Sequence, residues 1–227
     1  MTKQKAYFTP ALFSFFEKLK ANNAKDWFES HRDDYEDHVK QPAMEFIRDM
    51  APLIAKISAN FVADPKKSMF RIHRDTRFST DKSPYKTHLG IQFRHSTGKD
   101  VHAPGFYVHL EPGEVFVGMG IWHPDPRTAA AVRDAIVEDP TAWKRASMAR
   151  GFLAVFSPGG DSLKRPPRGY DPNHPLVEDL MRKDFFVGQS LRQSDATSSR
   201  FLSDVARAFQ LGAPYMKFLC SAVGVPF

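Results

Sequence analysis

The residues of this sequence best suited to chemistry are cationic and lie close together. Residues 66–94 contain eight lysines and arginines against two aspartates, so this segment alone accounts for the formal charge of +6 of the whole chain. The guanidinium groups of Arg71 and Arg77 offer planar forks of donors, and the ammonium group of Lys86 offers a point charge. Both kinds of group suit a phosphate or a carboxylate, and such a local excess of charge attracts small anions.

These side chains need a scaffold that brings them together, and the sequence around them predicts a sheet. Polar and apolar residues alternate in four short runs, as expected of strands with one buried face. The runs cover residues 69–73, 87–94, 106–111 and 115–122. Pro112 and Gly113 between the last two indicate a tight hairpin, and residues 185–187 are typical of an edge strand. We therefore expect an antiparallel sheet with one face packed on helices.

Alternation also predicts which side chains share the second face of that sheet. The polar residues expected on this face are Arg71, His73, His88, Tyr107 and His109, with Lys86 beside them and Arg77 at the edge. Imidazoles transfer protons near neutral pH. Gly90, Gly118 and Gly120 fall on the same face, and a glycine inside a strand often marks the close approach of a ligand. The pattern predicts a hollowed, basic pocket floor. Arg168, in a long loop at 157–175, is expected to close over it.

Other interpretations of the same residues stay open. Arg71, Arg77 and Asp75 would also suit an internal salt-bridge network with the acidic stretch at 26–37. The three histidines together with Asp75 would suit a metal ion. The sequence has no short metal-binding signature such as HExxH and no nucleotide-binding glycine motif, so we expect neither a metal nor a cofactor.

Helical periodicity flanks the predicted sheet on both sides. Apolar residues at helical spacing occupy most of the first 60 residues, where Pro52 is predicted to kink or split a helix over 42–57. Asp125-Pro126 and Asp139-Pro140 are typical helix starts. The predicted fold class is α+β, with an antiparallel sheet of about four or more strands flanked by N-terminal and C-terminal helices. The length fits one domain spanning residues 1–227.

Composition excludes some classes of protein. No apolar run approaches the roughly 20 residues that span a bilayer, and the first ten residues lack the apolar core of a signal peptide. Cys220 is the one cysteine of the sequence, which excludes an internal disulfide. We therefore expect a cytoplasmic protein without a membrane partner. The sequence gives no indication of the oligomeric state.

Several stretches taken together resemble the family called domain of unknown function 2461. They are residues 22–28, 70–87, 107–112, 118–122 and 163–175. The most specific part is the spacing of Arg-Asp-Thr-Arg-Phe at 74–78 and Lys-Ser-Pro-Tyr-Lys at 82–86. The resemblance implies one domain along the whole chain. It implies no activity, cofactor or catalytic residue.

The function expected from these observations is the binding of a small anionic ligand that carries a phosphate or a carboxylate. Whether the protein also acts on that ligand as an enzyme stays open, and the catalytic residues are unknown. The alternative is a non-catalytic interaction module whose partner is a nucleic acid or a protein. Phe and Tyr interleaved with basic residues favour a nucleic acid, whereas the lack of any recognisable binding motif does not.

Overall fold

The computed structural model describes residues 5–77, 79–98 and 103–227. The N-terminal helices are α1 (Pro10–Ala21), α2 (Lys25–Ser30), α3 (Arg32–Tyr35), a π-helical segment (Glu36–Lys40) and α4 (Gln41–Ile57). Helix α4 is not split at Pro52, contrary to one of the two expected outcomes. Met50 and Ile54, on either side of the proline, are both buried. Their packing against the core holds both turns in place despite the missing hydrogen bond.

The described residues form a six-stranded antiparallel sheet in the order β1-β2-β3-β4-β6-β5. The strands are β1 (Phe61–Val62), β2 (Leu89–His95), β3 (Gly105–Glu111), β4 (Glu114–Ile121), β5 (Ser157–Gly159) and β6 (Phe185–Leu191). A one-turn helix, α5 (Pro65–Ser68), follows β1. The register places His109 between Gly90 and Phe116, and Tyr107 between Gln92 and Gly118.

Two strand predictions were wrong. Residues 69–73 form no strand, only single bridges from Met69 to Ile91 and from His73 to Tyr85. The segment leaves β2 after one bridge and turns to residues 84–86, where the Lys86 amide donates to the Ile72 carbonyl. The run at 185–187 belongs to β6, which lies between β4 and β5 and not at the edge. The edge is the three-residue β5, which is too short to be recognised by alternation.

The C-terminal part supplies the remaining helices. They are α6 (Pro126–Glu138), α7 (Pro140–Ser147), α8 (Arg150–Leu153), α9 (Val177–Leu180), α10 (Gln193–Ala196), α11 (Phe201–Leu211) and α12 (Ala213–Ala222). Asp125 and Asp139 cap α6 and α7 as predicted, because each carboxylate accepts a hydrogen bond from a first-turn amide. None of the helices in the described ranges is long and apolar enough to cross a membrane.

Helices cover one face of the sheet, as the alternation predicts. On β3 the residues of that face are Phe106, Val108 and Leu110, and all are fully buried. Phe209 of α11 packs against Phe106, with 4.8 Å between the ring centroids. The fold is therefore α+β, and the opposite face of the sheet carries the polar and aromatic residues described next.

Candidate functional site

A cavity of about 360 Å³ lies on the sheet face opposite the helices. It is lined by Phe70, His88, Gln92, Gly105, Tyr107, His109, Phe116, Gly120, Trp122 and Phe186. Neighbouring rings meet at angles, with centroid distances of 5.7 Å between Tyr107 and Phe116 and 5.6 Å between Trp122 and Phe186. An aromatic wall with a few polar groups suits a flat, largely apolar ligand body. We call this space the aromatic cavity.

Two histidines of the aromatic cavity form a cluster with Glu111. Nε2 of His109 lies 3.2 Å from Oε2 of Glu111, and Nδ1 of His88 lies 3.9 Å from the same oxygen. The Tyr107 hydroxyl lies 3.1 Å from Nδ1 of His109, and Thr87 donates to Oε1 of Glu111 over 3.1 Å. Strand β3 supplies Tyr107, His109 and Glu111 at every second position, which puts all three on one face.

Burial sets the protonation of this cluster. The pKa of His88 is lowered to about 4, first by burial and then by the neighbouring His109, while Glu111 opposes both. Burial also lowers the pKa of His109, against the hydrogen bond to Glu111, which raises it. Desolvation, followed by the charge of Glu111, raises the pKa of the Tyr107 phenol. Both imidazoles are therefore neutral near pH 7, and each has a nitrogen lone pair for a proton or a metal ion.

Within the described ranges, the side chains arranged to hold a metal ion are those of His88, His109 and Glu111. Their ligand atoms all lie within 4.8 Å of one another. The sequence-based alternative combined the histidines with Asp75, which instead pairs with Arg77. Glu111 was missed, although its position two residues after His109 in a strand was the available signal.

A second cleft of about 340 Å³ adjoins the aromatic cavity and shares His88 with it. It is lined by Lys20, Asn23, Arg74, Asp81, Ser83, Tyr85, Lys86, Thr87 and His88. Its three cations face one carboxylate, Asp81, which forms an ion pair with Arg74. We call this space the cationic cleft.

Lys86 links the two spaces. Its ammonium group donates to the carbonyl of Arg71 over 2.9 Å and lies 5.2 Å from the centroid of the Phe70 ring, which lines the aromatic cavity. Burial, and secondarily the charge of Arg71, lowers the pKa of Lys86. The hydrogen-bond acceptor of this half-buried cation is a neutral carbonyl. A nearby anion would therefore stabilise the charged form of the ammonium group.

Asn23 fixes the segment that carries Lys86 and His88. Its side chain donates to the Tyr85 carbonyl over 3.0 Å and accepts from the Tyr85 amide over 3.1 Å. The Tyr85 ring stacks on Phe28 of α2 at 4.2 Å. These contacts give a structural reason for the Asn-Asn-Ala-Lys-Asp-Trp-Phe stretch at 22–28.

The structure brings together only part of the residue set predicted from the sequence. His88, Tyr107 and His109 line the aromatic cavity, and Lys86 lines the cationic cleft. The side chain of Arg71 is exposed, and its contribution to the cleft is the carbonyl that holds Lys86. Arg74, which the sequence interpretation left out of the site, takes its place among the lining cations.

Three predicted site residues lie elsewhere. His73 is exposed, and its ring lies 5.2 Å from that of Tyr85. Arg77 is exposed and makes a two-point contact with Asp75, whose pKa it lowers to about 2. Arg168 is exposed and lines neither space, and Tyr170, two residues on, bonds to Asp134 of α6 over 2.7 Å. For His73 and Arg77 the cause is the path of the chain, because residues 69–77 do not continue the sheet.

Gly90 and Gly118 do not leave an empty hollow, which corrects the sequence-based expectation, whereas Gly120 lines the aromatic cavity. A Cβ on Gly118 would lie 2.2 Å from Cζ of Phe186, and one on Gly90 would lie 2.7 Å from Cδ2 of Phe70. Aromatic rings thus occupy the space over both glycines. The glycines make room for the walls of the aromatic cavity, and the ligand-sized space lies beside those rings.

Together these features define a class of α+β protein whose antiparallel sheet carries helices on one face and an aromatic cavity with a His-His-Glu cluster on the other. The chain belongs to the family described as Conserved hypothetical protein (DUF2461), whose model matches residues 11–218. This match confirms the resemblance noted from the sequence. No curated protein and no solved structure matches the chain.

Proposed function

We propose that the protein binds a small organic anion. The flat part of the ligand would occupy the aromatic cavity, and its phosphate or carboxylate would lie in the cationic cleft. The observation that carries this proposal is that His88 lines both spaces, which places them side by side, and a molecule that spans them would pass this imidazole. Each space is within the usual size range of small-molecule sites.

The aromatic side of the proposal rests on the walls of the cavity. Phe70, Phe116 and Phe186 present rings at several angles, which allows offset or edge contacts with an inserted ring. Trp122 lines the same space and is 43% exposed, so part of its indole surface is open to a ligand. Burying this surface contributes to binding through the hydrophobic effect.

The anionic side rests on Lys86 and Arg74. An anion beside Lys86 would stabilise the charged ammonium, which burial destabilises, and Arg74 offers guanidinium donors in the same cleft. A carboxylate or a phosphate fits this donor set equally well, and the experiment below compares anionic with neutral ligands.

The His109–Glu111 pair adds a chemical capability to this binding site. A neutral imidazole held by a carboxylate can accept a proton from a bound ligand, which is general-base chemistry. An enzymatic reaction at this site would start from that proton transfer.

As part of the proposal we place the protein in the cytoplasm, because its one cysteine is a buried free thiol.

The proposal is tested with three probes in a thermal-shift and calorimetric titration. Phenyl phosphate combines a ring with an anion, whereas inorganic phosphate and benzyl alcohol carry one feature each. We expect phenyl phosphate to raise the melting temperature most. Lys86→Gln should weaken its binding at least fivefold, and Lys56→Gln, the same charge change on the exposed side of α4, should not.

Trp122→Ala tests the aromatic contribution separately from the anionic one. It should weaken the binding of phenyl phosphate and leave the binding of inorganic phosphate unchanged. Equal responses to phenyl phosphate and inorganic phosphate, or no effect of Lys86→Gln, would reject the proposal. The alternative interaction module predicts instead a tight complex with a single-stranded oligonucleotide. Its affinity would fall steeply as the salt concentration rises.

A further inference from the structure

We infer that His88, His109 and Glu111 form a binding site for a divalent first-row transition-metal ion. Oε2 of Glu111 faces both imidazoles, at 3.2 Å from Nε2 of His109 and 3.9 Å from Nδ1 of His88. Metal–ligand bonds of about 2.0–2.2 Å place two ligands of one ion roughly 3–4 Å apart. The three side chains therefore need only small shifts to share one ion.

The surroundings of the three ligands match those of known metal sites. A metal-binding histidine usually has its second ring nitrogen in a hydrogen bond, and binding carboxylates are also held from outside. Nδ1 of His109 is in contact with the Tyr107 hydroxyl, and an ion bound at Nε2 would replace the proton that this nitrogen shares with Glu111. The second oxygen of Glu111 accepts from Thr87. Both arrangements orient the ligand atoms before any metal arrives.

One strand places two of the three ligands, and the third lies directly before another strand. His109 and Glu111 lie two residues apart on the same side of β3, and His88 directly precedes β2, next to the Leu89–Leu110 pair. Strands hold ligand geometry better than loops do. His109 and Glu111 are also largely shielded, with side chains 10% and 21% exposed. Water competes less for a metal at such a position.

The chemistry of the donor set defines the class of ion. Two imidazole nitrogens and one carboxylate oxygen suit zinc, iron(II), cobalt(II), nickel(II) or manganese(II), whereas calcium and magnesium prefer oxygen ligands alone. Three protein ligands leave at least one coordination position open. Two of the three, His88 and His109, line the aromatic cavity. An ion held there could take an oxygen atom of a small anion as a further ligand.

This inference departs from the expectation of no metal, which was based on the absence of a short metal-binding signature in the sequence. It does not depend on the proposed small-molecule ligand. It requires only that the three side chains bind an ion by themselves, and the probe can therefore be the metal alone.

The test uses tag-free protein treated with EDTA and then titrated with cobalt(II) chloride, followed by visible absorption. We expect one cobalt per chain and displacement of the cobalt by zinc. Glu111→Gln and His88→Gln should each weaken cobalt binding at least tenfold. His88 is 27% exposed at its side chain, so its variant carries the test even where a change at the more buried His109 prevents folding.

Matched controls separate this site from ordinary His–carboxylate pairs. His123 lies 3.4 Å from Asp184 but has a 59% exposed side chain, and His123→Gln should leave cobalt binding unchanged. Tyr107→Phe removes a group that positions His109, and it should weaken binding roughly 10- to 100-fold without removing a ligand.

Two results would overturn the inference. One is folded wild-type protein that binds no cobalt at millimolar concentration. The other is a stoichiometric complex that is unchanged in both Glu111→Gln and His88→Gln. The phenyl phosphate titration is carried out in EDTA, so the failure of either experiment leaves the outcome of the other unaffected.

Discussion

The Tyr107 hydroxyl lies 3.1 Å from Nδ1 of His109, two residues further along β3. Because side chains two apart in a strand share a face, this contact continues to Glu111, whose Oε2 lies 3.2 Å from the other nitrogen of the same imidazole. Tyr107 belongs to the aromatic wall, and Glu111 belongs to the polar cluster. His109 therefore joins the part of the site that suits an apolar body to the part that suits a proton or a metal ion.

The close packing of Phe186 over Gly118 predicts a stability effect. In Gly118→Ala the new methyl group would lie 2.2 Å from Cζ of Phe186 and 2.9 Å from the Val187 carbonyl oxygen. We expect the free energy of unfolding in urea to fall by about 1–3 kcal/mol, which is typical of overpacking. Gly151→Ala in α8 is the matched control, since its Cβ meets nothing within 4 Å. Equal effects of the two substitutions would contradict this account of Gly118.

The stability of an Arg71 variant shows whether this residue belongs to an internal salt-bridge network or only lies at the surface. Its side chain is exposed, so Arg71→Ala should change the free energy of unfolding by no more than about 0.5 kcal/mol. Arg133→Ala is the contrasting variant. Its half-buried guanidinium donates to the carbonyls of Leu180 and Arg182, and its loss should cost about 1–3 kcal/mol. A strongly destabilised Arg71→Ala protein would restore the interpretation of Arg71 as part of an internal network.

Cys220 predicts a loss of stability at alkaline pH. Burial raises the pKa of this thiol to about 12 from an ordinary value of 9. As the pH rises, the thiol loses its proton in the unfolded chain before it does so in the folded protein. The contribution of the buried thiol to the free energy of unfolding is therefore complete below pH 9 and is lost as the pH rises towards 12. Within that window the stability difference between wild type and Cys220→Ala should shrink by about 1.4 kcal/mol per pH unit.

The same burial makes Cys220 slow to react with a thiol reagent at pH 8. Its modification rate in the native protein should follow the fraction of open molecules and rise with urea through the unfolding transition. Rapid labelling of the native protein would show that the thiol is accessible, and it would remove the basis of the alkaline prediction.

The pairing of β6 with β4 predicts one cooperative folding unit. A fragment that ends near residue 122 lacks β6 and leaves β4 without the partner that its residues 115–121 contact. We expect limited proteolysis to cut first in the mostly exposed stretch 157–175, and unfolding by urea to follow one transition by both fluorescence and circular dichroism. A stable fragment that ends near residue 122 would contradict the single-domain interpretation.

The sequence by itself determined the features that depend on local chemistry. Asp125 and Asp139 start their helices because a capping carboxylate needs only the next few amides. Alternation in 106–111 and 115–121 fixes which residues face the helices, since a strand changes sides at every residue. The turn at Pro112 and Gly113 then fixes the pairing of β3 with β4. For these reasons the α+β class and the shared face of Tyr107 and His109 could be predicted.

Only the tertiary structure decided how the remaining residues meet at the site. Asn23 holds Tyr85 across 62 positions of sequence, and Tyr85 forms a bridge with His73, so the chain around His73 pairs with residue 85 and does not continue the sheet. Phe186 reaches the aromatic cavity because β6 pairs with β4, which no local pattern indicates. Glu111 became part of the site through its distance to His88, a residue on another chain segment. Periodicity fixes the side on which a residue lies, but contacts between distant segments fix its neighbours, and the chemistry of the site depends on those neighbours.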